Sequence, residues 1–390
     1  MSAPALPAPR FRSLDAFRGA TVALMILVNN PGSWSHMYPP LAHAPWHGWT
    51  PTDLVFPFFL FAVGNALALV MPAEPDAAFW RRVARRTALI FAIGLFLNAS
   101  PFVRWSPEGA LVLKDLGTLR TMGVLQRIAL CFGAAALIVG LFGRRGALAA
   151  TAVLLLGTWA VYATSGAAGD PYSLAGWFGT AVDKALLGEA HLYRGEGLPF
   201  DPEGLASTPP AVAQVLLGWW VGARIRGAPA DAALVRWLLW RALPLLLVAG
   251  LWSNVLPINK KIWTPSYVLL TTGLAMLLLA LMVWLIEIRR RPAEQAGWLR
   301  FCEVFGRNPL FVFVLSGFVP RVLALCRWQQ PSNVEGVATW TSPLPWLYRH
   351  VFAQVGSDPR LGSFLFAVAN LAVYAALAFW LDRRRLYVRV

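Results

Sequence analysis

Residues 122–165 read MGVLQRIALCFGAAALIVGLFGRRGALAATAVLLLGTWAVYATS. Two apolar runs, 122–142 and 147–165, flank the pair Arg144-Arg145. Each run is about 20 residues long, enough to carry a helix across the hydrocarbon of a bilayer. In that medium a segment must satisfy its own backbone polar groups, so an α-helix is the form expected. The basic pair between the runs marks a short cytoplasmic loop.

The same criterion, applied outward, finds further apolar runs near 14–30, 51–72 and 83–99, then 209–225, 236–253, 265–287, 305–325 and 363–381. The fold class expected is all-α, a polytopic membrane helical bundle of about ten transmembrane helices forming a single domain over 1–390. Ser13 is the N-cap expected for the first span, and Asn29-Asn30-Pro31 its end. Pro57 falls inside the second span, where a kink is expected. Pro309 and Pro320 both interrupt the ninth.

Composition agrees with a lipid environment. Hydrophobic residues make up 57% of the 390 and charged residues 14%, against about 25% charged in soluble domains. There is too little polar surface to coat a soluble globule. The 19 Trp and 23 Phe suit lipid contact and membrane interfaces. Three widely spaced cysteines, Cys131, Cys302 and Cys326, offer no disulfide framework and no C-x-x-C metal pair. The N-terminus shows no removable signal peptide.

The net charge of +15 would suggest nucleic acid in a soluble protein. Sorting it by loop gives another account. With the N-terminus placed in the cytoplasm, about 21 basic residues fall inside and about 11 outside, and every short inner loop is basic. The long outer loops, near 166–208 and 326–362, hold most of the acids. The charge therefore reads as a topology signal, with both termini cytoplasmic, a multi-pass protein of a bacterial inner membrane and no nucleic-acid partner.

The loop after the first span concentrates chemistry. His36, His43 and His47 are three of the chain's five histidines, and histidine is the side chain suited to proton transfer near neutral pH. Asp53 opens the next span; capping that helix is the plain account of it, as a ring-rich interfacial loop is of the histidines. His43 and His47 have metal-ligand spacing for a helix, but Pro45 lies between them and no third ligand is evident beyond Asp53 or His36. No metal is expected. Further polar residues sit within or beside spans, where they are costly and often functional. Asp15 and Arg18 are placed to pair, three apart on one helix. Gln126-Arg127, Asn259-Lys260-Lys261 with Trp263, and Arg307-Asn308 complete the set. Nucleotide-loop, dinucleotide and serine-hydrolase motifs do not occur.

Several of these segments, taken in order, resemble the heparan-α-glucosaminide N-acetyltransferase family of membrane proteins. They are Arg12-Ser-Leu-Asp15-Ala-Phe-Arg18-Gly19, His43-Ala-Pro-Trp46-His47-Gly48, Thr52-Asp53-Leu-Val-Phe-Pro57 and Gly123-Val-Leu-Gln126-Arg127-Ile128. Phe200-Asp201-Pro-Glu203-Gly204-Leu-Ala-Ser-Thr208, Pro257-Ile-Asn259-Lys260-Lys-Ile-Trp263-Thr264 and Gly306-Arg-Asn308-Pro-Leu continue the series. The resemblance implies an acyltransferase that moves acetyl from cytosolic acetyl-CoA to an amino sugar across the membrane. It implies His43 as the active-site histidine, with Asn29 as its partner. His47 stands where the animal enzyme has Asn, and the animal enzyme's large lumenal N-terminal region is missing, so the acceptor expected is a small glucosamine-type sugar at the periplasmic side.

On this reading His43 takes the amine proton and Asn29 donates to the oxyanion. Asp53, Gln126, Arg127, Asn259, Lys260 and Trp263 are candidates for holding the sugar. Asp15, Arg18, Arg86, Arg307 and Asn308 are candidates for holding acetyl-CoA, arginine being matched to phosphate. The other partners are the bilayer and, for assembly, a homodimer. Competing readings are an amino-sugar or small-glycan transporter without acyl transfer, and a structural membrane subunit.

Overall fold

The apolar stretch 122–165 is helical almost without interruption in the computed structural model, which describes residues 11–289, 297–330 and 339–388. Arg10, Arg290, Arg291 and Arg389 of the basic inner set, residues 331–338 of the second outer loop and the chain ends lie outside the described residues. The helices are α1 (Arg12–Asn29), α2 (Val55–Val70), α3 (Ala77–Ala99), α4 (Val124–Ser165), α5 (Gly179–Leu187), α6 (Thr208–Arg226), α7 (Ala232–Trp252), α8 (Pro265–Val283), α9 (Trp298–Arg307), α10 (Pro309–Leu323), α11 (Pro343–Leu347) and α12 (Pro359–Arg383). Two small antiparallel hairpins lie in the connecting loops: β1 (Val103–Trp105) with β2 (Leu111–Leu113), and β3 (Trp328–Gln330) with β4 (Thr339–Thr341).

All ten stretches expected to be helical are helical. By length and composition, five helices among the described residues can cross a membrane, or six if α9 and α10 count as one broken span. α1 and α3 fall short because Arg12, Asp15 and Arg18, and the arginines 81–86, occupy them.

α4 is two helices joined at Gly143, whose φ of 62° and ψ of −162° are not helical. The join reverses the chain. Arg127, in the first turn of α4, stacks 5.3 Å from the Trp263 ring, while Tyr162, near the far end, donates its hydroxyl to the Ile262 carbonyl at 2.9 Å. An unbroken helix would hold positions 127 and 162 about 50 Å apart. The two apolar runs therefore fold back as a hairpin around the turn that holds Arg144-Arg145. That backbone conformation is essentially restricted to glycine.

Three local expectations are corrected. Ser13 does not cap α1: the helix starts at Arg12, and the Ser13 N–H is taken at 3.0 Å by Glu287 Oε1 from the π-helical turn Trp284–Ile288 that follows α8. Pro57 does not sit mid-span. A 3-10 turn, Pro51–Leu54, precedes α2, which leaves Pro57 in the first turn, where its missing N–H breaks no intrahelical bond. Asp53 is not the α2 cap, for it lies inside that 3-10 turn. The expected interruption at Pro309 is real: α9 and α10 meet at 83°.

Packing fixes the two ends of the bundle. α1 and α9 touch backbone to backbone; a Cβ on Gly19 would lie 1.6 Å from the Cys302 carbonyl oxygen. One apolar cluster joins α2, α3, α4, α6 and α8, a second joins α1, α2 and α6 to α9, and a third seats α1 against α9, α10 and α12. α1 runs about 27 Å from Arg12 to Asn29. It thus separates an arginine-rich end from the end carrying the histidine loop.

Gly143→Val should destabilise the protein by about 1–3 kcal/mol, read as a lower thermal midpoint in detergent. Gly157→Ala, at an exposed helical position with open space around it, should leave the midpoint unchanged or raise it. Equal midpoints for the two variants would mean that Gly143 does not hold the turn.

Candidate active site

Asp53 is the centre of the histidine end. Its side chain is 1% exposed, and a buried carboxylate must find donors. Oδ2 accepts from the backbone N–H groups of Ala44 and Thr50, both at 3.0 Å, and from Thr50 Oγ1 at 3.2 Å. Oδ1 lies 2.7 Å from His43 Nδ1 and 3.3 Å from Lys260 Nζ. Lys260 Nζ is in turn 3.0 Å from His43 Nδ1. The Tyr267 hydroxyl, reaching out of α8, donates to the Asp53 backbone carbonyl. The three side chains form one cluster, with the imidazole as its exposed member at 40%.

The loop holding Lys260 zips onto the histidine loop over successive residues. Ile258 accepts the Gly48 N–H at 2.8 Å, Asn259 Nδ2 meets His47 Nδ1 at 3.3 Å, and Lys261 donates to the Pro45 carbonyl at 2.7 Å. Asn259 also closes its own turn: its Oδ1 accepts from Ile262 N–H, and its backbone N–H donates to Thr264 Oγ1. Burial lowers the Lys260 pKa, against the pull of Asp53 and Glu203. Desolvation likewise lowers that of His47, against Asp170.

Beneath and beside the two loops lies an aromatic and ionic support. Trp46 donates to the Tyr172 carbonyl at 2.8 Å and packs edge-on against Phe200; Tyr162, Trp177, Phe200 and Ile262 form a small core there. Arg120 holds Asp201 through two hydrogen bonds and also pairs with Glu203. These acids raise its pKa against the opposing effect of burial. Asp183 is fully buried; its Oδ1 accepts the Ala206 N–H, while Oδ2 has no partner among the described residues. Desolvation pushes its pKa up to about 6.

The sequence candidates divide accordingly. His43, Asp53, Lys260 and Asn259 come together. Trp263 and Arg127 lie behind them, fully buried, Arg127 donating to the Gly204 carbonyl and to Ser207. Gln126 packs against Gly94 of α3. Asn29 is exposed at the end of α1 and makes no hydrogen bond to the cluster among the described residues. At the opposite end Arg18 pairs with Asp15 at 2.5 Å, beside a cavity of about 400 Å³ that Asn65 and Arg226 also line. Arg86 stacks on Phe132 and makes no ion pair among the described residues. Arg307 is taken by Asp382 and Glu303, and Asn308 binds the backbone of Leu386 and Val388. No group of three potential metal ligands occurs among the described residues.

Tyr267, Arg120 and the Lys261–Glu196 pair, at 2.5 Å, escaped the sequence reading. Asp201 and Glu203 in one short motif were the available signal, since two carboxylates near a membrane require a cation.

Residues 10–185 match the family model described as heparan-alpha-glucosaminide N-acetyltransferase, catalytic. The chain is 27% identical over 342 residues to the heparan-alpha-glucosaminide N-acetyltransferase of Homo sapiens, covering 73% of this chain and 50% of that protein. It is 25% identical to the Mus musculus protein of the same name, covering 72% and 50%. The chain thus spans about half the length of the curated relatives it matches.

The pKa of Asp183 generates a pH prediction. Its carboxyl binds a proton more tightly folded than unfolded, so its contribution to stability falls as pH rises from about 4 to about 6 and is flat above. Asp183→Asn keeps an acceptor for Ala206 and removes that loss. It should raise the thermal midpoint relative to wild type at pH 7.5 and change it much less at pH 4, a difference of roughly 2–3 kcal/mol. A pH-independent effect would show that Asp183 does not titrate in this range.

Proposed function

Because this chain is a relative of the heparan-α-glucosaminide N-acetyltransferase family, we propose that it is a transmembrane acyltransferase carrying acetyl from cytosolic acetyl-CoA to the amino group of a glucosamine-type sugar on the periplasmic side. The observation that carries the reading is the contact of His43 Nδ1 with the buried Asp53 carboxylate at 2.7 Å. Asp53, anchored by backbone donors, fixes the imidazole with its proton on Nδ1. With that proton on Nδ1, Nε2 is the acceptor, 3.5 Å from Lys260 Nζ.

The amine nitrogen attacks the thioester carbonyl, the C–N bond forms and the C–S bond breaks. Nε2 of His43 takes the proton from nitrogen and returns it to the departing thiolate, so the products are the N-acetylated sugar and free CoA thiol. Lys260, beside the imidazole, and Asn29, at the end of α1, supply positive potential and a hydrogen-bond donor for the oxyanion. The Trp46 face would lie on the acceptor side, with Asn259, fully buried and bonded to His47 and Ile262, supporting the loop from behind. The donor's phosphates belong at the other end of α1, with Arg86 foremost because it makes no ion pair with an acid among the described residues. Arg18 would share its charge with Asp15, and Arg307 with Asp382 and Glu303. Donor phosphates and acceptor amine would then sit about 27 Å apart, so only a long flexible arm threaded through the bundle joins them.

This function needs a fixed orientation. We assign ten spans, both termini to the cytoplasm and the His43 loop to the periplasm of a bacterial inner membrane. The α4 hairpin supports this by counting as two spans, and the basic residues alternate by loop. The assembled unit is the single domain 1–390, with a homodimer as the expected oligomer.

Purified protein should acetylate glucosamine with labelled acetyl-CoA; sugar uptake without acetylation would make it a transporter instead. His43→Ala should lower turnover by at least about 10²-fold, and Asp53→Asn by a comparable factor, while His36→Ala and His47→Ala stay active. A dead His47→Ala beside an active His43→Ala would assign the wrong imidazole. For orientation, single cysteines at 36 and 145 in a background lacking Cys131, Cys302 and Cys326 should be labelled by an impermeant reagent in intact cells only at 36.

A further inference from the structure

We propose that Arg127 is a positioning residue that holds the Lys260–Trp263 turn against the His43–Asp53 pair. Its guanidinium is 0% exposed. One nitrogen binds the Gly204 carbonyl at 2.8 Å and the Ser207 hydroxyl. Nε and Nη1 are buried with no hydrogen-bond partner among the described residues. What faces the cation instead is the Trp263 ring, 5.3 Å from its centre. A buried charge with so few donors used is costly unless its surroundings compensate it. The indole face of Trp263 is placed to do so.

Trp263 needs such a hold. Its φ of +51° is a left-handed conformation that bulky residues avoid. It is 1% exposed and closes the turn by donating its N–H to the Lys260 carbonyl at 3.1 Å. From the indole two routes lead to the cluster. One is the turn itself, three residues back to Lys260. The other is an edge-on ring contact at 5.3 Å with Tyr267, whose hydroxyl binds the Asp53 carbonyl. A second anchor on the same turn is the Tyr162 hydroxyl on the Ile262 carbonyl. Arg127 therefore acts behind the site, through Trp263, and touches neither imidazole nor carboxylate. The planar fork and the stacked face both matter, and lysine offers neither.

The assignment rests on the acetyl-transfer reading only for its kinetic readout. Arg127→Met should lower kcat roughly 10- to 100-fold, with KM for sugar and acetyl-CoA within about threefold of wild type, and Arg127→Lys should not restore it. Combined with Lys260→Met, it should slow turnover no further than about twofold beyond Lys260→Met alone, because both act on one element. Hydrogen exchange at the Trp263 and Thr264 amides should accelerate while α8 stays protected. Should Arg127→Met fail to fold, Tyr162→Phe gives the same tests by loosening the same turn. Multiplying effects of Arg127→Met and Lys260→Met, or unchanged exchange in the turn, would overturn the assignment. A wild type that lacks acetyl transfer yet shows faster exchange in Arg127→Met would instead reject the enzyme reading and keep the positioning role.

Discussion

A buried carboxylate that cannot be left without donors organises the histidine end of this molecule. Asp53 draws to itself two backbone N–H groups, a threonine hydroxyl, an imidazole and an ammonium. Those donors come from the histidine loop up to Thr50 and from the loop between α7 and α8, while Asp53 itself sits in the 3-10 turn ahead of α2. Satisfying one side chain thus ties three separate pieces of chain together. The same contact orients the His43 ring, so under the proposed function the anchoring and the chemistry share one interaction.

The support beneath that contact is made of groups whose burial also has to be compensated. Arg120 is matched by Asp201 and Glu203, while Arg127 is matched by Gly204, Ser207 and Trp263. Each cation pins the 200–208 segment to a different part of the bundle. The aromatic core of Tyr162, Trp177, Phe200 and Ile262 fills the space between. This outer layer is therefore more polar and more strongly cross-tied than the lipid-facing helices. α7, whose Trp240 and Leu247 are exposed, shows the contrast: beyond Arg241 its exposed face is apolar throughout.

The opposite end obeys different physics. Its charges are exposed enough to pair among themselves, Arg12 with Glu303, Arg18 with Asp15 and Arg307 with Asp382. Pairs of this kind contribute little stability each, but they close the ends of α1, α9 and α12 around one region. Arg86 stands out there as a cation facing an aromatic ring and another arginine, Arg18, rather than an acid.

Hydropathy and the placement of arginine are local properties, and they were enough to locate the long helices among the described residues. The histidine loop was legible because three histidines crowd it, His43 was singled out within it by the family resemblance, and the Asp15–Arg18 pair was legible because three residues is about one helical turn. Asp53 was legible as a polar residue at a span's edge, yet its role was not. That role depends on a lysine 217 residues from His43 and on a tyrosine 214 residues from Asp53. The reversal at Gly143, the cap that Glu287 lends to α1, and the burial of Arg127 behind Trp263 are likewise decided by packing between distant helices. A sequence states which groups will demand partners in lipid. Only the folded bundle, where close packing leaves one arrangement that satisfies them together, determines which partners they find.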